Sequence, residues 1–183
     1  MMTNGRCYLI VAVLLIAMNP RLAAADDGAI QLAEKFITTF YSWDQDKLQS
    51  LLTSDGNHQA ITYYQRWAEG GNYAIKIRRP CVVGQDAISC AITVTDDFGR
   101  TLGYTATDTF TVRVSDAQIT AVTFTADDPP IFEELQQWIA AERPEVFTGP
   151  CLDLFAGGTT PEACAQAVVA SAIEFMASRE PGQ

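Results

Sequence analysis

Histidine is almost missing from this 183-residue chain, which carries only His58. A histidine-built metal centre is thereby excluded, and a Ser-His-Asp or Cys-His arrangement has one imidazole to work with. Basic residues are also scarce, 12 Lys and Arg against 22 Asp and Glu, for a net charge of −10. A surface of that sign repels nucleic acid and anionic lipid, so neither is an expected partner. The apolar run at 8–18 is 11 residues long, well short of the ~20 that a bilayer span requires. There is no internal repeat, no low-complexity tract and no motif that fixes a reaction, a metal or a cofactor.

What is present begins with that run. Arg6, the apolar stretch, Asn19-Pro20 and Ala23-Ala24-Ala25 before Asp26-Asp27 read as a signal peptide over 1–25, with cleavage after Ala25. A secreted or periplasmic chain without a membrane anchor is expected. Cleavage removes Arg6 and Arg21 and no acid, leaving 10 basic against 22 acidic residues, net −12. It also removes Cys7, so Cys81, Cys90, Cys151 and Cys164 remain, an even number that suits disulfides in an exported chain. If Gln85-Asp86 is a two-residue turn, 81 faces 90 as a non-hydrogen-bonded pair close enough to bridge, and Cys151 is left for Cys164. Four thiolates on zinc is the competing arrangement, but neither pair has the short spacing zinc ligands show.

Along the expected domain at 26–128, Ala29, Ala33, Phe36, Ile37 and Phe40 recur at helical spacing. Asp44 can cap a second helix through Leu52, and a third from about 59 to 69 presents Ile61, Tyr64 and Ala68, with Tyr63 and Trp67 beside them. A four-stranded antiparallel meander follows. Residues 73–83 pair with 87–95; Asp97-Phe98-Gly99 makes a three-residue hairpin loop that sets 92 opposite 104 and 88 opposite 108; a turn at Asp116-Ala117 leads into 118–126. Strict alternation puts Leu102, Tyr104, Ala106, Asp108, Phe110, Val112 and Val114 on one face, with Ile75, Ile77, Cys81, Val83, Ile88, Cys90, Ile92 and Val94. The threonines at 105, 107, 109 and 111 take the other, joined by Val122 and Phe124. A helical extension at 129–183, with Pro129-Pro130 ending the sheet, Thr160 as a cap and Pro161 starting the final helix, is expected to pack on the same domain and cover the threonine face. Helices followed by strands indicate an α+β fold: three N-terminal helices on a four-stranded antiparallel meander, plus C-terminal helices.

The run 36–52, a first helix ending in Phe40-Tyr41, then Trp43-Asp44-Gln45-Asp46 opening a second helix to Leu51-Leu52, resembles the NTF2-like superfamily of the SnoaL-like and ketosteroid-isomerase-like proteins. The resemblance extends over roughly 28–126. It implies a sheet curved into a cone whose interior holds a small apolar ligand or an active site. Isomerase chemistry is not implied, because Ile37 stands where that family places its oxyanion-binding tyrosine. The family's dehydratases rely on histidines, and this chain has one.

Asp108 is the one carboxylate in the middle of the apolar strand face, so it is the candidate general acid or base, with Tyr104 beside it. A solvated Asp108 at the sheet edge is the alternative. Phe36, Phe40, Tyr63, Tyr64, Trp67 and Phe110 are candidates for lining an apolar pocket, or for filling the core. Lys76, Arg78 and Arg79 form the one basic cluster. Three readings follow: a binding domain for a small apolar ligand in the cone, a protein-interaction module that could form a homodimer, and a cofactor-free enzyme built on Asp108. The first requires the cone to be open, and the third requires Asp108 to reach a cleft.

Overall fold

The computed structural model describes residues 20–56 and 58–179, residues 20–26 as backbone only. The signal reading at 1–19 and the expected fraying at 180–183 fall outside the described residues. The elements run α1 (Pro20–Phe40), α2 (Gln45–Ser50), α3 (Gln59–Gly70), β1 (Ala74–Arg78), β2 (Val82–Val83), β3 (Ile88–Thr95), α4 (Asp97–Leu102), β4 (Ala106–Ser115), β5 (Gln118–Ala126), α5 (Pro130–Glu142), α6 (Glu145–Thr148) and α7 (Pro161–Arg179). The fold is α+β, an antiparallel sheet in the order β1-β3-β4-β5, with β2 also paired to β3 and helices before and after it.

The helices bury the faces that their spacing selects. Ala33, Phe36, Ile37 and Phe40 of α1 have no exposed surface, and Leu48 of α2 has none either. Asp44 caps α2 by accepting the Lys47 N–H at 3.0 Å. The α1 helix begins at Pro20, earlier than the expected start at 28. Gln65, a polar residue inside α3, is fully buried. Its side-chain amide donates to the carbonyls of Thr39 and Phe40 at 3.2 and 3.0 Å, two acceptors that the end of α1 leaves without intrahelical partners.

The first hairpin matches its expectation. Val83 pairs with Ile88 and Val82 with Ser89, and Gly84 N–H donates to the Ala87 carbonyl at 2.8 Å. That register sets Cys81 opposite Cys90, and the two are bridged across a Cα separation of 4.3 Å. Three other expectations need correction. The link from β3 to β4 is α4, capped by Asp96 and closed by Gly103 in the left-handed region at φ 81°, where a three-residue loop was expected. Ile92 therefore faces Asp108, not Tyr104, and Ile88 faces Val112. The shift is four residues, an even number, so every side chain of β4 keeps its face.

The other two corrections are bulges. Ile75 pairs with Val94 but Ile77 with Thr93, so Lys76 is an extra residue and Ile77 turns to the threonine face. Ile75, Ile77 and Val83, expected inside, are 40%, 50% and 49% exposed at the sheet margin. In β5, Ile119 pairs with Val114 and Ala121 with Arg113, which leaves Thr120 unmatched. Its hydroxyl donates to the Arg113 carbonyl at 3.3 Å. The extra residue swings Val122 and Phe124 inward, opposite Val112 and Phe110.

The C-terminal helices do not cover the threonine face. α7 lies along α3 and α4, and α5 packs on α7. A Cβ on Gly70 would stand 2.6 Å from Glu162 Cα, so glycine lets α3 and α7 approach closely. Thr160 ties its loop down by donating to the Pro150 carbonyl at 2.8 Å. Deleting Thr120 should leave Val122 opposite Val112 and Phe124 opposite Phe110, because the pairs on either side of the bulge then follow one another directly, and should cost less than ~1 kcal/mol. Deleting Thr123 instead sets Phe124 opposite Thr111, turns it to solvent and should cost roughly 2–3 kcal/mol. Urea midpoints of the two variants check this, and equal losses would contradict the register of β5.

Candidate functional site

Asp108 lies on the inner face of β4 between Ile92 and Ala126, and only 2% of it is exposed. A carboxylate there needs donors, and tyrosines supply them. Tyr41, one residue past the end of α1, donates its hydroxyl to Asp108 Oδ2 at 2.7 Å. Tyr64 of α3 turns its hydroxyl to the same carboxylate. Tyr73 stands edge-on to Tyr64, ring centroids 6.1 Å apart, and lies near enough to Asp96, the cap of α4, to favour its ionised form. A buried polar chain thus runs from the end of α1 to the start of α4.

Burial pushes Asp108 up to about 6 against the pull of the Tyr41 and Tyr64 hydroxyls, and the nearby charges of Asp128 and Asp127 push it further. Asp96 is pushed up to about 7, again chiefly by burial, although the Gly99 N–H holds its ionised form. Burial and the Asp108 charge raise Tyr41 far above the ordinary phenol range, so it remains a donor. The set can hold or pass a proton internally at near-neutral pH.

The structure gives Asp108 the partner Tyr41 and takes Tyr104 away. Tyr104 stands outside β4, its N–H bonded to the Gly99 carbonyl at 2.9 Å, with a half-buried ring whose hydroxyl has no hydrogen-bond partner. Phe36, Phe40, Tyr64 and Phe110 do come together. Phe110 lies 5.9 Å from Phe36, 5.0 Å from Phe40 and 6.3 Å from Tyr64, centroid to centroid. Tyr64 also stacks on Phe124 at 4.2 Å. Trp67 sits farther along α3 against Phe98 at 5.3 Å, and Tyr63 faces Phe155 at 5.1 Å. These rings occupy the space between helices and sheet. Surface clefts of about 210 to 610 Å³ lie elsewhere, and none of these is lined by Phe36, Phe40, Tyr64, Trp67 or Phe110.

Sequence reasoning missed Tyr41, Tyr73 and Asp96. Tyr41 is 67 residues from Asp108, and only the packing of α1 on the sheet brings them together. Asp96 carries a local signal, an acid three residues before Gly99, but the same pattern suits a hairpin turn as well as a helix cap.

No family model matches the chain, and no curated protein matches it. Among solved structures, a protein of unknown function with a cystatin-like fold from Xanthomonas campestris is similar at 19% identity, over 55% of this chain and 91% of that one, with a TM-score of 0.42. The resemblance to the NTF2-like superfamily is therefore corrected. The pattern at 36–52 that carried it is an ordinary helix, acidic cap and second helix, which any α+β chain of this layout can contain.

The raised carboxyls have a thermodynamic consequence. Folding lifts Asp108 from 3.8 to about 6 and Asp96 from 3.8 to about 7, so the native state holds protons that the unfolded chain has released. Stability from these groups is complete below pH ~4 and is lost as pH rises through 6 and 7, roughly 3 kcal/mol for Asp108 alone. Urea melts at pH 5 and pH 8 should show the higher stability at pH 5, with about a third of that slope removed in Asp108→Asn and most of the rest in Asp96→Asn. A wild-type protein that gains stability over this range would contradict the assignment.

Proposed function

We propose that this chain is an exported protein-interaction module that docks a partner through the β1–β2 margin of its sheet. One observation carries the reading. Six large apolar side chains stand exposed among the described residues, and four of them, Ile75, Ile77, Val82 and Val83, lie within nine residues on that margin, 40–59% exposed. Ile77 and Val82 share the outer face, opposite Thr93 and Ser89, and Ile75 and Val83 stand at the rim of the inner one; exposed apolar side chains gathered at one margin mark contact surfaces.

Charge names the partner's chemistry. Arg78 is neutralised by Glu34 at 2.7 Å, but Lys76 and Arg79 have no acid partner among the described residues. In a chain of net charge −10 this is a locally basic, aliphatic strip, and it suits a protein surface bearing apolar side chains flanked by carboxylates. The threonine face continues the strip. Ile77 is paired with Thr93 and Val82 with Ser89, and the cross-strand pairs Thr93–Thr107, Thr109–Thr125 and Thr111–Thr123 extend it over β4 and β5 without a carboxylate.

Two disulfides, Cys81–Cys90 and Cys151–Cys164, fit an oxidising environment. Among the described residues no helix is long and apolar enough to cross a membrane. With the signal pattern at 1–25, these support placement outside the cytoplasm or in a periplasm. The small-ligand reading loses support because the rings meant to line the cone are packed against one another. The enzyme reading has its tyrosine in Tyr41, but Asp108 opens into none of the clefts described.

Ile77→Asp combined with Val82→Asp should leave the circular dichroism spectrum and melting temperature nearly unchanged, since both residues are already at least half exposed. Site-specific photocrosslinking from position 75 in the producing cell should give a discrete adduct with wild type and none with the double variant. An identical adduct pattern in both, or a free monomer in both, would overturn the reading.

A further inference from the structure

A second surface has a different chemistry. Gln59, Thr62, Tyr63 and Arg66 form one stripe along α3, and Gln45 and Gln49 stand one turn apart on α2. The stripes face each other across two clefts of about 300 and 390 Å³. Gln49, Gln59 and Thr62 line both, so the clefts form one groove. It ends at His58 on one side and at Gly158-Thr159 on the other.

The lining is polar and nearly uncharged. In a chain with 22 acids, no carboxylate lines either cleft, and the one cation, Arg66, is ion-paired with Glu162. A cation finds no counter-charge there, and an anion finds only a guanidinium already in use. Amide side chains each offer donors and acceptors, the pairing that vicinal hydroxyls satisfy.

Two buried atoms in the groove lack the partner that burial demands. The Tyr63 hydroxyl has no hydrogen-bond partner within the protein, although Tyr63 is only 6% exposed. His58 Nε2 lies 3.0 Å from the Thr53 carbonyl, which can only accept, so Nε2 carries the proton and Nδ1 is a bare acceptor. Nδ1 is buried and likewise unpartnered. An unmade bond to a buried polar atom is costly, so a donor and an acceptor left unpaired in the walls of one groove call for a ligand that supplies both.

We propose that the groove between α2 and α3 binds a neutral polyhydroxyl ligand, a short glycan, with the Tyr63 hydroxyl donating to it and His58 Nδ1 accepting from it. The site is separate from the β1–β2 margin and stands whether or not that margin docks a protein. Maltotetraose, cellotetraose and chitotetraose are the probes, titrated into the 15N-labelled full chain. At least one should shift the amide signals of Gln49, Gln59, Thr62 and Tyr63 with a Kd of about 1 mM or tighter. Tyr63→Phe, which removes only a hydroxyl without a protein partner, keeps the fold and should weaken binding about tenfold. Gln49→Ala, at an exposed position, should also weaken it. No shift with any probe at ~20 mM, shifts confined to other surfaces, or equal affinity in wild type and both variants would each overturn the proposal.

Discussion

Phe110 stands in the middle of β4 with no exposed surface, and elements from three parts of the chain close on it. Phe36 and Phe40 reach it from α1, Tyr64 from α3 and Phe124 from β5. Each contact depends on which face of the sheet a side chain occupies, a matter of parity along the strand. One unmatched residue at Thr120 gives Phe124 its place in that cluster. The same parity puts Asp108, two residues before Phe110, under the helices with its charge to be satisfied. The polar chain of Tyr41, Tyr64 and Tyr73 follows from packing β4 against α1 and α3, because a carboxylate in that position must find donors there.

The sequence is most legible where a signal is local. The helical spacing of Ala33, Phe36, Ile37 and Phe40, the Asp44 cap and the hairpin that sets Cys81 opposite Cys90 all depend on residues close in the chain. The alternation of β4 survived an error of four residues in its register because the error was even. Bulges were not legible. Lys76 between two isoleucines and Thr120 between Ile119 and Ala121 each read as the outward residue of a regular strand, and what makes each an extra residue is its partner strand. For the site, Asp108 could be picked out as a carboxylate on an apolar face. Its donor could not, since the sequence offers six tyrosines and no measure of which lies above it.

Glu34 shows how an exposed-looking charge can hold a boundary. It sits on the polar side of α1, yet one oxygen takes the Arg78 guanidinium at 2.7 Å and the other the Cys81 N–H at 2.6 Å. Arg78 is the residue after the Lys76 bulge that returns to the inner face, opposite Ile92. The bulge therefore has two effects at once: it turns Ile77 outward and brings Arg78 within reach of the helix. Together with the Cys81–Cys90 bridge, Glu34 fixes the end of the sheet where its helical cover runs out.

That anchoring bears on what kind of contact the margin can make. An edge strand with free N–H and C=O groups invites another strand, and proteins suppress this with short strands, lysines, prolines and bulges. All four are present here: β1 has five residues and β2 two, Lys76 sits in the bulge, and Pro80 between them has no N–H to give. Backbone addition is thus obstructed at the place where the aliphatic side chains are most exposed. The two features are at odds only if the margin is an unfinished sheet. As a surface read through side chains they are consistent, because Ile77 and Val82 remain available to a shaped partner while the ladder of hydrogen bonds that would propagate a fibre is denied.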